Sequence, residues 1–186
     1  LQTQYYDGWV LRFANGYSAR ANSVNLIYSS TIDIKEKITE CEKRYSKQGL
    51  PCIFKVTDDN KEMIDGILED KGYEVVTPTD VMVMDLSEKQ FSAGDSIITE
   101  HLTDEWLNTY FTLEKYTNPV TCDTVRKIRQ MIQVDTLYCH ITKDGQNIAC
   151  ASAVIENGYV FIANVIVDEV HRGKGYGRSL CESLLG

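Results

Sequence analysis

Apolar positions recur with period two in some stretches and with a period of three to four in others, and the changes of period divide the chain into elements. Trp9, Leu11 and Phe13 alternate before Asn15-Gly16, and Tyr17, Ala19 and Ala21 alternate after it, which predicts a hairpin closed by a type I′ turn. Arg12, Arg20, Asn22 and Asn25 occupy the alternate positions, those of a solvated sheet face. Ile34, Ile38, Cys41 and Tyr45 share one helical face, with Asp33 and Glu36 spaced as a capping box before it and Gly49 and Pro51 after it. A short buried strand is expected at 52–57. A second helix starts at Asp59 and Glu62 and runs through Ile64, Ile67 and Leu68 to Gly72, and strand-like runs follow at 73–76 and 81–86.

The polar, aperiodic stretch 87–96 reads as a linker between two domains, 1–88 and 95–186. Beyond it the pattern predicts a strand at 97–101 and a helix capped by Thr103 with Trp106, Leu107, Tyr110 and Phe111 on one face. Asn118-Pro119 is expected to break that helix, and another follows at 121–133. Two further primed-turn pairs, Asp144-Gly145 and Asn157-Gly158, bracket a meander of strands at 136–143, 146–156 and 159–167. The last of these is an almost unbroken apolar run and reads as a strand buried on both faces. Its polar loop leads to a final helix, with Leu180, Leu184 and Leu185 at helical spacing.

Composition narrows the classes. A 186-residue chain with 43% hydrophobic and 25% charged residues is ordinary for a soluble globular protein. No apolar run approaches the length of a membrane span and no leader pattern opens the chain, so neither a membrane nor export is expected and the cytoplasm is the default location. A net charge of -8 argues against a nucleic-acid partner. The six cysteines form no C-x-x-C pair and sit at apolar positions, which suits reduced thiols packed in a core rather than a disulfide framework or a metal site.

The candidate chemistry lies in the loop after the last strand. Gly173, Gly175 and Gly177 take alternate positions just before a helix, with Arg172, Lys174 and Arg178 around them, so a local cationic patch opposes the global charge. A helix start has unpaired N–H groups and the positive end of the helix dipole, and glycines let a phosphate approach those donors. Neither the P-loop spacing nor the dinucleotide G-x-G-x-x-G fits; the pattern present is R-x-x-G-x-G, at Arg172, Gly175 and Gly177, following Val165-Ile166-Val167.

That segment closely resembles the acetyl-CoA loop of the GNAT N-acetyltransferase superfamily, and the order of elements from residue 97 matches the opening two-thirds of such a domain. Residues 55–76, with Asn60, Gly72 and Tyr73, look like the family's closing segment. Leu68 stands where the family often has its acidic tyrosine. The resemblance implies a mixed α/β (α+β) fold, the acyl-CoA N-acyltransferase (GNAT) fold, with a mostly antiparallel central sheet and flanking helices. It implies two GNAT-like halves, the first degenerate and the second the acetyl-CoA-binding domain, incomplete at its C-terminus, so that the native chain is expected to continue past Gly186.

It also implies an enzyme, an acetyl-CoA-dependent N-acetyltransferase acting by direct attack of a primary amine of a small molecule or peptide; a homodimer is compatible with it. Backbone N–H groups of Arg172, Gly173, Lys174, Gly175, Tyr176 and Gly177 would hold the pyrophosphate of coenzyme A. The backbone of Val165, Ile166 and Val167 would pair with the pantetheine arm. No metal is implied. The family often carries a glutamate on the strand before the loop; residues 159–167 hold no acid, and Asn164 is the polar residue there. Glu156, Asp168, Glu169 and His171 are the nearest titratable groups, and no catalytic residue is assigned. The alternative is a CoA-binding or sensing module, or regulatory pseudo-enzyme, without transfer chemistry.

Overall fold

The structure, a computed structural model, describes residues 1–92 and 94–186. Residue 93, inside the stretch read as a linker, lies outside the described residues. The chain divides into two compact units, Leu1–Val83 and Met84–Gly186.

In the first unit, β1 (Gln2–Tyr6), β2 (Trp9–Phe13), β3 (Val24–Leu26) and β4 (Phe54–Lys55) form one sheet in that order, antiparallel except for the parallel pair β3 and β4. The helix α1 (Ile34–Ser46) connects β3 to β4, and α2 (Asp58–Asp70) follows. Trp9, Leu11 and Phe13 of β2 pack with Ile38, Cys41 and Tyr45 of α1 and with Ile64 and Leu68 of α2. The apolar faces read from period therefore meet in one core. Asp33 caps α1 by accepting from the N–H groups of Lys35 and Glu36. The start of α2 differs from expectation: Asn60, not Glu62, supplies the reciprocal bond by accepting from Thr57 N at 2.9 Å.

The predicted hairpin at Asn15-Gly16 does not form. Its turn is present, with φ of 50° and 72° and Tyr17 N bonded to Ala14 O at 2.9 Å. The strands do not continue from it, because the Asn22 side chain gathers the loop around itself. Its Oδ1 accepts from Ala14 N at 2.7 Å and Gly16 N at 3.1 Å, and its Nδ2 donates to Ser18 O at 2.8 Å. Asn22 and Asn25 are buried rather than on a solvated face. The hairpin that does form turns at Asp7-Gly8, between β1 and β2. The strand-like runs at 73–76 and 81–86 stay outside both sheets with Val75, Val76, Val81, Met82 and Val83 exposed, since an apolar run without a ladder partner is not a strand.

In the second unit, β5 (Ile97–Thr99), β6 (Asp135–Lys143), β7 (Gln146–Glu156) and β8 (Tyr159–Val167) form an antiparallel sheet in sequence order. The turns Asp144-Gly145 and Asn157-Gly158 have positive φ at both residues, as the type I′ geometry requires. One face of the sheet carries α5 (Tyr176–Leu185), whose Leu180 and Leu184 cluster with Cys139, Ile141, Ala149, Ala151 and Ala153. The other face carries α3 (Asp104–Leu113), whose Trp106 packs edge-on against Tyr138 at 5.0 Å. Asn118-Pro119 does not break α3. It opens α4 (Pro119–Gln130), with Asn118 accepting from Val120 N and Pro119 at the first helical position, where no N–H is needed. Gly94, from the linker stretch, lies against α5: its N–H donates to Ser183 Oγ at 2.9 Å, and a Cβ there would run into Ser179 Oγ.

All six cysteines are free thiols. Burial pushes Cys41, Cys139 and Cys150 up to about 12 and Cys52 to about 11, which keeps them protonated and inert.

Candidate functional site

The site is built where β8 leaves the sheet. Pairing between β7 and β8 slips once: Cys150 faces Ile166 and Ser152 faces Ala163, so Asn164 and Val165 together oppose Ala151. This is a β-bulge, and Asn164 carries it at φ 57°. The amide Nδ2 of Asn164 donates to Ser152 Oγ at 2.8 Å, and Ser152 Oγ donates to Ala163 O at 3.4 Å, so a buried serine fixes the kink. A bulge bends its strand and interrupts the ladder, and here it does so one residue before Val165-Ile166-Val167.

The expectation that this strand is buried on both faces fails. As the last strand of the sheet, β8 has a free edge, and Tyr159, Phe161 and Val165 are 67%, 59% and 41% exposed.

After Val167 the chain is tied down at each step. Asp168 N donates to Ile148 O at 2.8 Å, and the Asp168 carboxylate accepts from Val170 N at 2.9 Å, capping a single 3-10 turn, Glu169–His171. Arg172 Nε donates to Val167 O at 3.1 Å, and Lys174 Nζ to Val170 O at 2.9 Å. Both cations are therefore fastened to the base of the loop. Gly175 stands immediately before α5 at φ 87°, a left-handed conformation that disfavours any residue with a Cβ. The first bond of α5 runs from Ser179 N to Gly175 O at 3.0 Å, so the N–H groups of Tyr176, Gly177 and Arg178 have no acceptor within the helix, and no side chain caps them. Gly177 lies over β8, where a Cβ would sit 3.7 Å from Val165 and 3.8 Å from Val167.

The nine residues read from sequence are thus contiguous in space, with Val165, Ile166 and Val167 at the end of a bulged edge strand and Arg172 to Gly177 leading into the start of α5. Unpaired donors, the positive end of a ten-residue helix and the nearby cations Arg172 and Lys174 can hold an anion there, while Arg178 is paired with Glu182 at 2.8 Å.

The titratable groups near the loop are engaged or exposed. Lys115 bonds Glu169 at 2.8 Å and lowers its carboxyl below the usual range. His171 Nδ1 is 3.4 Å from Asp168 Oδ1. No carboxylate stands on β8.

The register also puts Tyr138, Ser152 and Ala163 in one row on the α3 face of the sheet. Above that row, Trp106 Nε1 donates to both Cys139 O at 3.0 Å and Ala151 O at 2.9 Å, and Ala151 is the residue opposite the bulge. Trp106 and Tyr110 stack at 5.3 Å, and the Arg129 guanidinium lies 4.8 and 4.9 Å from their rings. His140 Nε2, buried and without a hydrogen-bond partner, is 3.4 Å from Glu105. The outer side of α3 borders a shallow depression of about 430 Å3 lined by Asn108, Phe111, Thr112, Lys115, Tyr116 and Thr117. Sequence reasoning found none of Ser152, Arg129 or His140. A lone polar residue in an apolar stretch was the available signal for Ser152; Arg129 and His140 carry none until the register is known.

The profile of the family described as "Probable histone acetyltransferase Rv0428c C-terminal" matches residues 1–186, the whole chain. The chain belongs to this family. It is also 25% identical over 181 residues to the uncharacterized N-acetyltransferase YobR of Bacillus subtilis (strain 168), covering 95% of this chain and 72% of that protein. Two solved structures are similar at lower levels. A putative acetyltransferase from Pyrococcus horikoshii matches 53% of this chain, with 16% identity and a TM-score of 0.38; the chain spans 36% of its length. A functionally unknown conserved protein from Staphylococcus epidermidis ATCC 12228 matches 98% of this chain and 77% of its own, with 13% identity and a TM-score of 0.49.

The family and the named relative point to an acyltransferase. Among the described residues, no group of histidine, cysteine, aspartate or glutamate is placed to hold a metal ion, and no helix is long and apolar enough to cross a membrane.

Proposed function

We propose that the chain is an N-acetyltransferase that moves an acetyl group from acetyl-CoA to the amine of a small molecule or peptide by direct attack on the thioester. The observation that carries this reading is the start of α5, where a glycine precedes three N–H groups that nothing in the helix accepts, beside a bulged edge strand. The pyrophosphate lies on the N–H groups of Gly173 to Arg178, with the arginine and lysine of the loop adding charge; the Arg172 N–H, expected to join them, is taken by Glu169 O at 3.4 Å. The pantetheine amides pair with Val165, Ile166 and Val167 as an added strand would. An N–H turned out by the bulge polarises the thioester carbonyl as its oxygen gains charge.

The amine must shed a proton first. With a pKa near 10.4 it pays roughly 4–5 kcal/mol at neutral pH unless the site offsets that. β8 holds no carboxylate and the Asn164 amide is committed to Ser152, so a side-chain base for that proton does not come from this strand. Specific to the second reading, a CoA-binding or sensing module, is this same absence of an acid beside the bulge.

The finer organisation belongs to the same proposal, with a degenerate first half at 1–88 and a cofactor-binding half at 95–186. Each unit has three successive antiparallel strands followed by a helix, β1-β2-β3-α1 and β6-β7-β8-α5. In the first unit β4 lies parallel to β3 and α2 follows it. The two helix starts differ. Where α5 has open donors, α1 is capped by Asp33, and the loop before it is filled by Asp7, whose carboxylate accepts from Thr31 N, Ile32 N and Thr31 Oγ1 at 2.9, 2.9 and 2.7 Å. The first half therefore takes no coenzyme.

The test is calorimetric titration of acetyl-CoA into the chain and into Gly175→Glu, with thiol release followed against a panel of amines. Binding lost in the variant, together with amine-dependent thiol release, supports the transferase. Binding without release selects the sensing module, and binding that is as tight in Gly175→Glu as in the unsubstituted chain refutes the placement of the pyrophosphate on which both readings rest.

A further inference from the structure

Arg129 stands out among the cations of the second unit. On the same helix, Arg126 reaches Asp104 at 2.6 Å and Lys127 reaches Asp123 at 2.7 Å. Arg129 is half-buried, yet among the described residues no carboxylate lies within 4.0 Å of it, and its Nε is sealed from solvent without a hydrogen-bond partner. Its two Nη groups are not sealed in that way. The guanidinium carbon lies 4.8 and 4.9 Å from the stacked rings of Trp106 and Tyr110, a contact that restricts its movement and neutralises none of its charge.

Its position is defined by the register. Trp106 packs on Tyr138, Tyr138 faces Ser152, and Ser152 faces Ala163 and holds the Asn164 bulge. Arg129 thus sits on the α3 face of the sheet, above the row that ends at the bulge. The coenzyme loop and α5 belong to the opposite face, where Leu180 and Leu184 pack on Ala149, Ala151 and Ala153. On the proposed reading the coenzyme's phosphates occupy the α5 face, which leaves the face of Arg129 to the acceptor. A partly desolvated guanidinium with free donors is the protein's usual receptor for an oxyanion, and the geometry suits a planar carboxylate. A bare lysine side chain or a simple alkylamine offers nothing to it.

We infer that Arg129 is a specificity-determining residue that binds the carboxylate of the acceptor, so that the acceptor class is a small amine that also bears a carboxylate, as an α-amino acid does. This rests on the acetyltransferase reading of the same site. The probes are L-methionine, L-phenylalanine and L-lysine, each paired with its carboxamide. Equilibrium binding of every probe is measured in the presence of saturating CoA, and thiol release from acetyl-CoA is followed separately. The unsubstituted chain is expected to bind at least one amino acid at least tenfold more tightly than its amide. Arg129→Gln is expected to abolish that preference while leaving CoA affinity unchanged, and Arg129→Lys to restore part of it. Thermal melts of both variants identify any loss of fold, and Arg129→Lys, which keeps the charge, remains informative if Arg129→Gln melts. Equal binding of acids and amides, or a preference that survives in Arg129→Gln, overturns the inference whatever the thiol assay gives. A preference that depends on Arg129 without thiol release retains the carboxylate site and removes the transfer chemistry.

Discussion

The sharpest test of the loop compares two glycines with the same backbone strain and different surroundings. Gly175 (φ 87°) precedes α5, and Gly145 (φ 75°) closes the β6–β7 turn; a Cβ on either meets nothing within 4 Å. Alanine at each position therefore costs only the left-handed conformation, about 1–2 kcal/mol. For a unit of this size that is a fall in Tm of roughly 4–8 °C per kcal/mol, similar for the two variants. Acetyl-CoA separates them. The added methyl of Gly175→Ala enters the open space before α5 that the proposed reading gives to the phosphates, and losing one charge-assisted bond of about 1.5–3 kcal/mol weakens binding by ~10–100-fold. Gly145→Ala is expected to keep the affinity of the unsubstituted chain. Differential scanning fluorimetry gives the melts and calorimetry the affinities. If Gly175→Ala binds as well as Gly145→Ala, or if both lose affinity in step with their melting temperatures, the loop is not where the coenzyme's phosphates lie.

Other consequences are local. Asn22→Ala removes three side-chain bonds that organise the loop between β2 and β3, and is expected to destabilise the first unit by about 1–3 kcal/mol, read from urea unfolding followed by Trp9 fluorescence in a Trp106→Phe background. Trp106→Phe itself leaves Cys139 O and Ala151 O without their shared donor, costing about 1–3 kcal/mol in the second unit, visible by circular dichroism in urea. Asp7 carries a pH dependence: the Ile32 N–H, then the Thr31 hydroxyl and N–H and Lys37, hold its carboxyl well below the usual range. Since its folded pKa is depressed, the stability it contributes is complete above the unfolded value near ~3.9 and is lost as pH falls below it. Asp7→Asn should flatten that acid limb of the Trp9 unfolding profile; an unchanged limb would assign it to other groups.

Elements whose signals are local were legible from sequence, and those that depend on a partner were not. The meander follows its turns because Asp144-Gly145 and Asn157-Gly158 dictate both the turn and the register of β6, β7 and β8. Asn15-Gly16 dictates a turn equally well, but Asn22, several residues away, captures the donors that a second strand would need. The real first hairpin escaped notice because β1, QTQYY, has no apolar alternation and lies at a sheet edge. The runs at 73–76 and 81–86 have the composition of strands and lack a partner to make them so. At the site, the glycine loop could be read from its spacing. The bulge at Asn164 depends on a buried serine from the neighbouring strand, and the place of Arg129 depends on two rings from another helix.

A side chain meets the start of each of the first four helices: Asp33 at α1, Asn60 with Thr57 at α2, Thr103 at α3 and Asn118 at α4. A cap of this kind stabilises a helix by about 0.5–2 kcal/mol. At α5 the chain places a glycine with φ 87° instead and forgoes that stabilisation. A tight turn does not require it, since α1 also follows a strand of its sheet and its loop closes with carboxylates from Asp7 and Asp33. The two helix starts thus differ in where an anion can come from. In the first unit the anion is part of the chain, which fastens the loop permanently; in the second the donors stay open, and on the proposed reading an anion that comes and goes, the coenzyme, would fill them.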